Sequence, residues 1–509
     1  MKKIMFFPLS IITTVALVSC HGTLVPKITT KPAPEIINFD SFDESKEYNI
    51  SFWAKNDSNP VQVKAYTDAI AKFNTYYPNI HVELKNYADY NDIYKDVLLN
   101  IQTRTTPNVC IAYPDNVATY AESNDIVLPI QSVMDDENYG LGGSKIKYNS
   151  VAKEEIYEKF LEEGKIDGYY YTLPFARSSE ALYINKQYVE SLGKTIPDFP
   201  TWDWVWEVCE AACQAKVTEL TNNPNADKVL YPFIYKSVDN WFINYYKQKG
   251  WDYTKDNKAL FLNNQTANYL LDLYTKAHSG PLYDFKLDGK ELHTGLYQVF
   301  SNVSYPGNSF NKWRAVMVVD STAGATWIGT GATQHDAGSE ATGASFDTVV
   351  RPVPQVDAEH PQMISQGPSI CVFKKSSKDE MLASWLFAQF LLTDDIQLDY
   401  TSTEGYLPVT KRATSSQRFN SYMANPSEYK VKLDATKLIL DNVDNTFITP
   451  VFNGSINARN AAGYLIDAVA SPGSKYKTLE LITDLGNSTS LYSRVINKYN
   501  KIGDNKTLF

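Results

Sequence analysis

Arg177, Ser178, Ser179 and Glu180 set four hydrogen-bonding side chains between apolar Leu173-Pro174-Phe175 and the strand-forming run Ala181-Leu182-Tyr183-Ile184. Such a block can hold a polar solute or pair internally. Other chemistries find weaker support. Leu192-Gly193-Lys194-Thr195 is shaped like the end of a phosphate-binding loop, but Tyr188 stands where the first glycine of the cradle belongs. Asp284 to Gly289 brings two carboxylates near a glycine without the spacing or closing glutamate of a calcium loop, which favours a surface turn. Neither H-E-x-x-H nor G-x-S-x-G occurs, and the six histidines lie far apart. Cys209 and Cys213 stand four apart in a helical pattern with no further thiol or imidazole nearby, which fits two core residues and no metal site. No motif asks for a cofactor. Paired carboxylates for glycoside hydrolysis need no fixed sequence spacing, so with 58 acidic residues a secreted, lipid-anchored carbohydrate-active enzyme stays open as an alternative.

The N-terminus sets the compartment. Lys2 and Lys3 precede an apolar run from Ile4 to Val18 that ends at Ser19-Cys20, the pattern of a secretory signal over residues 1–19. The run is too short for a membrane-spanning helix, and no later stretch approaches about 18 continuous apolar residues. Leu17-Val18-Ser19-Cys20 resembles a bacterial lipobox, which implies acylation of Cys20 and a membrane-held, extracytoplasmic protein. The chain is formally −10, and losing the two signal lysines makes it more acidic, which disfavours nucleic acid as a partner. The four remaining cysteines are too few for a disulfide scaffold. Thirty-five tyrosines and 9 tryptophans suit both a core and a sugar-gripping cleft, and composition does not separate the two.

The positioning elements read as α/β. Residues 20–47 are polar, Pro-containing and aperiodic, the signature of a tether. "YNISFWA" alternates as a strand, and Tyr66, Ile70, Phe73 and Tyr77 mark one helical face. "NIHVELKNY" is a second strand, Tyr90 to Ile101 an amphipathic helix, and "NVCIAYPD" a short buried strand. This order implies a parallel sheet covered by helices, with ligands beyond the carboxyl ends of the strands. That rule points to Trp53 through Asp57 and to Tyr113 through Asn116. Residues 135–167 read as a charged surface excursion and 321–347 as a mobile loop or crossover. Ser377 to Glu380 form a capping box before the apolar helix 381–392.

Taken in order, the lipobox, "ISFWA", "KFNTYYPNIHVEL", "TPNVCIAYPDNVATYAESNDIVLPI", "LPFARSSEALYINKQYVESLG", "PTWDWVWE", "RAVMVVDSTAG", "ISQGPSICVFKKSSKDEMLASWLFAQFLL" and "EGYLPVTKRA" resemble the extracellular solute-binding proteins of carbohydrate-type ABC importers, a group that includes maltose-binding and glycerol-phosphate-binding proteins. The resemblance implies a periplasmic-binding-protein-like fold of two α/β lobes with a ligand cleft between them. The N-terminal lobe would comprise 48–176 plus about 362–412, and the C-terminal lobe about 177–361 plus 413–509. It also implies binding of a small solute without bond chemistry and delivery to ABC permease subunits by a monomer. A sugar or oligosaccharide is favoured; glycerol-3-phosphate or a glycerophosphodiester is the alternative. Residues 173–186 would carry the chain between lobes, with Ser178 and Ser179 near the solute and Arg177 and Glu180 at or beside the hinge. Asp115 resembles an acid that accepts sugar hydroxyl hydrogens, with an Asx turn as its other reading, and Tyr113 sits one residue out of step with an aromatic of some relatives. Ser321 and Thr322 resemble a ligand-facing turn, Gly367 a close backbone approach to solute, and Tyr406 a cleft tyrosine. Trp53 and Trp241 are candidate sugar platforms or core residues. Asn457 and Arg459 fall where the chain returns to the cleft.

Overall fold

Tyr48, Ile50, Phe52 and Ala54 are buried on one face of the strand Tyr48–Lys55 while Asn49 is exposed, the period of two that a half-covered sheet demands. The computed structural model describes residues 33–509 except 40, 57–58, 123–124, 228, 279–282, 288–289, 295–304, 333–342, 426, 472 and 503–505. The signal, Cys20, the first part of the tether, Gly289 and much of the Gly-rich 321–347 stretch lie outside the described residues.

Two sheets organise the described chain. In the first, strands run in the order Ile80–Tyr87, Tyr48–Lys55, Val109–Ala112, Ser369–Val372, Thr172–Pro174. The first three are parallel, as the strand-helix alternation requires, and the strand Ser369–Val372 enters antiparallel to both its neighbours. Helix Pro60–Tyr76 starts at Asn59, whose side chain accepts from the Val61 N–H, and lays Tyr66 and Phe73 on this sheet. Helix Lys378–Phe390 is buried continuously from Met381 to Phe390, and its Trp385 and Phe387 lie at the middle of the first core.

The second sheet runs Thr348–Pro352, Glu180–Asn185, Ala315–Ser321, Tyr231–Tyr235. Its core joins Leu182, Phe233, Trp241, Phe242 and Leu270 to the helix Ser455–Ala470. The two lobes are thus α/β units sharing interleaved chain.

Three expectations are corrected. Residues 37–39 and 41–42 are part of the first lobe rather than tether: Phe39 and Phe42 are buried in its core and the Ile37 N–H donates to the Ser132 carbonyl at 2.9 Å. Burying each phenylalanine is worth about 1.5–3 kcal/mol, which polar neighbours in the sequence do not cancel. The 135–167 excursion also packs inward, where the Tyr139 carbonyl accepts from Trp385 Nε1 at 2.8 Å and Gln389 Nε2 at 2.9 Å. The last change of lobe falls beyond residue 412. Phe419 joins the first core, and helix Lys430–Asp441 straddles the boundary with Val431 against the second lobe and Ile439 against the first. Among the described residues no helix is long and apolar enough to cross a membrane.

Candidate functional site

The polar block between the lobes is consumed by the hinge. Arg177 is fully buried; its Nη1 donates to the carbonyls of Ala176 and Pro368 at 3.0 and 2.8 Å, and its Nη2 to the Phe160 carbonyl and Ser369 Oγ at 3.2 and 3.1 Å. Its Nε lies 3.0 Å from Glu163, whose carboxyl is pushed up to about 7 by burial, against the pull of Arg177. Ser178 exchanges backbone hydrogen bonds with Gln366, and its Oγ donates to the Gln366 carbonyl at 3.2 Å. Ser179 Oγ donates to the Ile364 carbonyl at 2.8 Å, and its N–H donates to Thr322 Oγ1 at 3.2 Å. Gly367 adopts φ +150°, and a Cβ there would meet the Ala176 carbonyl oxygen at 2.2 Å. Ser178, Ser179, Thr322 and Gly367 therefore stitch the lobe crossings to each other. A buried crossing must satisfy its own polar groups, and these side chains do so.

Glu180 looks the other way. It accepts from Tyr235 Oη at 2.5 Å, Asn240 Nδ2 at 3.0 Å and Asn244 Nδ2 at 3.3 Å. Burial pushes its carboxyl up to about 8, although the bonds from Tyr235 and Asn240 pull down. Asn240 reaches on to Gln366 Oε1 at 2.8 Å, so this cluster runs from the second lobe to the hinge.

The lobes meet at Arg459. The strand Val109–Ala112 feeds the helix Pro114–Ala121, which places Asp115 in its first turn, as the strand-end rule expects. Across the cleft, helix Ser455–Ala470 carries Arg459, whose Nε stands 3.8 Å from Asp115 Oδ2 and whose Nη2 stands 3.1 Å from Asp239 Oδ2. Arg459 Nη2 also donates to Asn240 Oδ1. Burial raises the Asp115 carboxyl above its usual range, while Arg459 and Ser455 pull it down. Burial opposes charge on Arg459, yet Asp239 and Asp115 override it and hold the guanidinium above its ordinary value. Tyr253 Oη has no hydrogen-bond partner here, and Asp115 Oδ1 and Ser455 Oγ have none beyond their own approach to each other. Tyr113 is half-buried beside them, edge-on to Tyr90 at 4.9 Å.

The remaining candidates lie apart from this cluster. Trp53 packs against Tyr87 at 5.5 Å under the Lys85 ammonium at 4.5 Å, and Trp241 is sandwiched between Trp202 at 5.0 Å and Tyr235 at 5.3 Å. Both are core residues; neither indole face is open for a sugar. Ser321 Oγ caps the turn 322–327 by accepting from the Ala323 N–H at 3.2 Å. Tyr406 is 6% exposed and packs 5.8 Å from Tyr400. Asn457 donates to the Lys501 carbonyl at 3.2 Å, since two residues along a helix turn it off the face that Arg459 occupies. Among the described residues, no group of three or more His, Cys, Asp or Glu side chains is gathered to hold a metal.

Two lobes joined by stitched crossings thus bring buried polar groups together from both sides. Residues 68–427 match the family of bacterial extracellular solute-binding proteins. The chain belongs to that family. No curated sequence matches it, but solved structures share the fold. UgpB from Mycobacterium tuberculosis in complex with glycerophosphocholine superposes at TM-score 0.64 with 17% identity, over 88% of this chain and 97% of that one. MalE3 of T. maritima, maltose-bound, gives 0.60 with 15% identity over 85% and 97%. The sugar-binding protein MalE from Xanthomonas citri gives 0.58 with 15% identity over 88% and 98%.

Sequence reasoning missed several cleft groups of this solute-binding protein. Asp239 and Asn240 follow the strand Tyr231–Tyr235, so the same strand-end rule, applied to the second lobe, would have found them. Glu163 and Ser455 carry no such signal; only the tertiary fold brings them to the cleft.

Proposed function

We propose that the protein binds one small, neutral, hydroxyl-rich solute, a sugar or oligosaccharide, between its lobes on the outer side of the cytoplasmic membrane and passes it to an ABC importer. The observation that carries this is the Asp115–Arg459–Asp239 contact with its polar neighbours. Tyr253 Oη, together with the bonding capacity that Asp115 and Ser455 keep beyond their own contact, offers donors and acceptors from both lobes, the complement of a hydroxylated ring. Hydrogen bonds to charged groups are worth about 1.5–3 kcal/mol each, and a micromolar ligand needs about 8 kcal/mol in all. Contact with both lobes gives the closed form its advantage. No bond is made or broken in this cycle.

A glycerophosphodiester is the second reading, favoured by the guanidinium itself and by the Mycobacterium tuberculosis neighbour crystallised with glycerophosphocholine. Against it, Arg459 already faces two carboxylates, so a phosphate would enter a cluster whose formal charge is negative.

The test is thermal unfolding against maltose, maltotriose, other oligosaccharides and glycerophosphocholine. A compound held only by the folded state, at 100 times its dissociation constant, adds about 2.7 kcal/mol. A shift with a sugar and no product by mass spectrometry supports the proposal; a shift with glycerophosphocholine alone selects the second reading; turnover of the compound overturns both.

A further inference from the structure

One aromatic layer behind the cleft, the second lobe holds a separate pocket. Trp241 divides the two: Tyr235, on its cleft side, bonds Glu180, while Trp202 stacks on its other face at 15° between the ring planes. The pocket has a volume of about 140 Å³ and is walled by Trp202, Trp206, Trp241, Tyr245 and Tyr269. Lys249 and Asp272 stand exposed at its rim.

Its polar atoms are incomplete. Trp202 Nε1, in a side chain 6% exposed, has no hydrogen-bond partner, and Trp241 Nε1 and Tyr269 Oη, in side chains 1% and 9% exposed, have none beyond each other. Trp241 and Tyr269 turn these atoms toward each other, which leaves the Trp202 N–H and the Tyr269 hydroxyl in want of an acceptor. A buried donor left unpaired costs about 1–3 kcal/mol, so a native occupant should supply acceptors. The volume is close to the roughly 150 Å³ of an apolar cavity that takes a benzene ring, so one six-membered ring fits. An apolar ring would leave the indole N–H unmet. A cation would meet Lys249, Lys276 and the Trp202 N–H, and an anion would meet Asp203 and Asp272, the latter already paired with Lys276 at 3.1 Å.

We infer that this pocket binds a single hexose ring: its C–H groups pack against the apolar wall that includes Leu273 and Val356, a hydroxyl oxygen accepts from Trp202 Nε1, and another hydroxyl donates to the Asp272 carboxylate. The site stands on its own residues and holds whichever solute the cleft takes.

The test uses the full chain, with D-glucose, D-galactose, D-mannose and N-acetyl-D-glucosamine as probes, by saturation-transfer NMR and calorimetry. The expected result is saturable binding of at least one hexose that survives Arg459→Ala in the cleft. Trp202→Phe, which removes the N–H and keeps the ring, weakens that binding about fivefold. Val356→Trp, which fills the pocket from its half-buried wall, abolishes it and serves as the second variant if Trp202→Phe folds poorly. The proposal is overturned if no probe binds at tens of millimolar, which would leave the pocket to water, or if binding is lost in Arg459→Ala and kept in Val356→Trp, which would place the sugar in the cleft.

Discussion

Arg459 is a cation with a carboxylate from each lobe, and removing it leaves Asp115 and Asp239 facing a buried space uncompensated. Truncating one partner of such a set costs about 2–5 kcal/mol. Arg459→Ala is therefore expected to lower the melting temperature of the unliganded chain and, at a temperature where the variant is folded, to weaken cleft binding at least tenfold by calorimetry with the solute found in the panel. Glu180 makes a different prediction. Its folded value of about 8 lies above the ordinary 4.5, so the folded chain holds this proton more tightly than the unfolded chain does. Its stabilising contribution is full below about pH 4.5 and is lost as the pH rises through about 8; Glu163 follows the same sign up to about 7. Each group contributes a slope of at most about 1.4 kcal/mol per pH unit. Glu180→Gln, which mimics the protonated carboxyl, should flatten the fall of unfolding free energy between pH 5 and 8, measured by urea titration. Of these residues Asp115 was singled out by its place after a strand and by resemblance, and Arg459 only by the return of the chain to the cleft in that region. The hinge bonds of Ser178 and Ser179 were not legible because a serine that binds solute and a serine that ties two crossings look alike until their partners, residues 364 and 366, are known.

The crossings are the elements on which closure turns. Gly367 is fixed there by backbone contact as well as by φ, so Gly367→Ala should cost about 1–3 kcal/mol in unfolding free energy from strain alone, with further loss from the contact with Ala176. Urea denaturation reads this as a lower midpoint, and a midpoint equal to that of the parent chain would contradict the hinge geometry. Strands and helices with clear periods, such as 48–55, 60–76 and 378–390, could be read from the chain because local pattern decides them. Phe39 and Phe42 could not: two aromatics in a Pro-containing polar string reveal their docking only once the surface around Ser132 and Asp136 exists. The excursion 135–167 was hidden in the same way, since its buried Tyr139, Tyr148 and Phe160 follow no regular spacing.

For the molecule as a whole, binding by lobe closure predicts that a saturating cleft solute lowers the radius of gyration in small-angle scattering, and that Arg459→Ala abolishes the change at the same solute concentration. The lipobox-like Leu17-Val18-Ser19-Cys20 predicts that Cys20→Ser releases the protein from the membrane fraction, checked by immunoblot of cell fractions. The two-lobed layout was visible in the sequence through the order of its motifs, but the last boundary was not, because helix Lys430–Asp441 shows each lobe a different face. The first sheet carries one further consequence. Its strand Thr172–Pro174 reaches the rest of the sheet only through Ser369–Val372, which lies beyond all four strands of the second sheet in the chain. As the polypeptide emerges N-terminus first, the second lobe's sheet can be assembled while the first still lacks its bridging strand. The first lobe gains its bridging strand only at residue 372, and the second lobe in turn waits for helix Ser455–Ala470 and Leu508, so neither core is complete until the C-terminal part of the chain has been made.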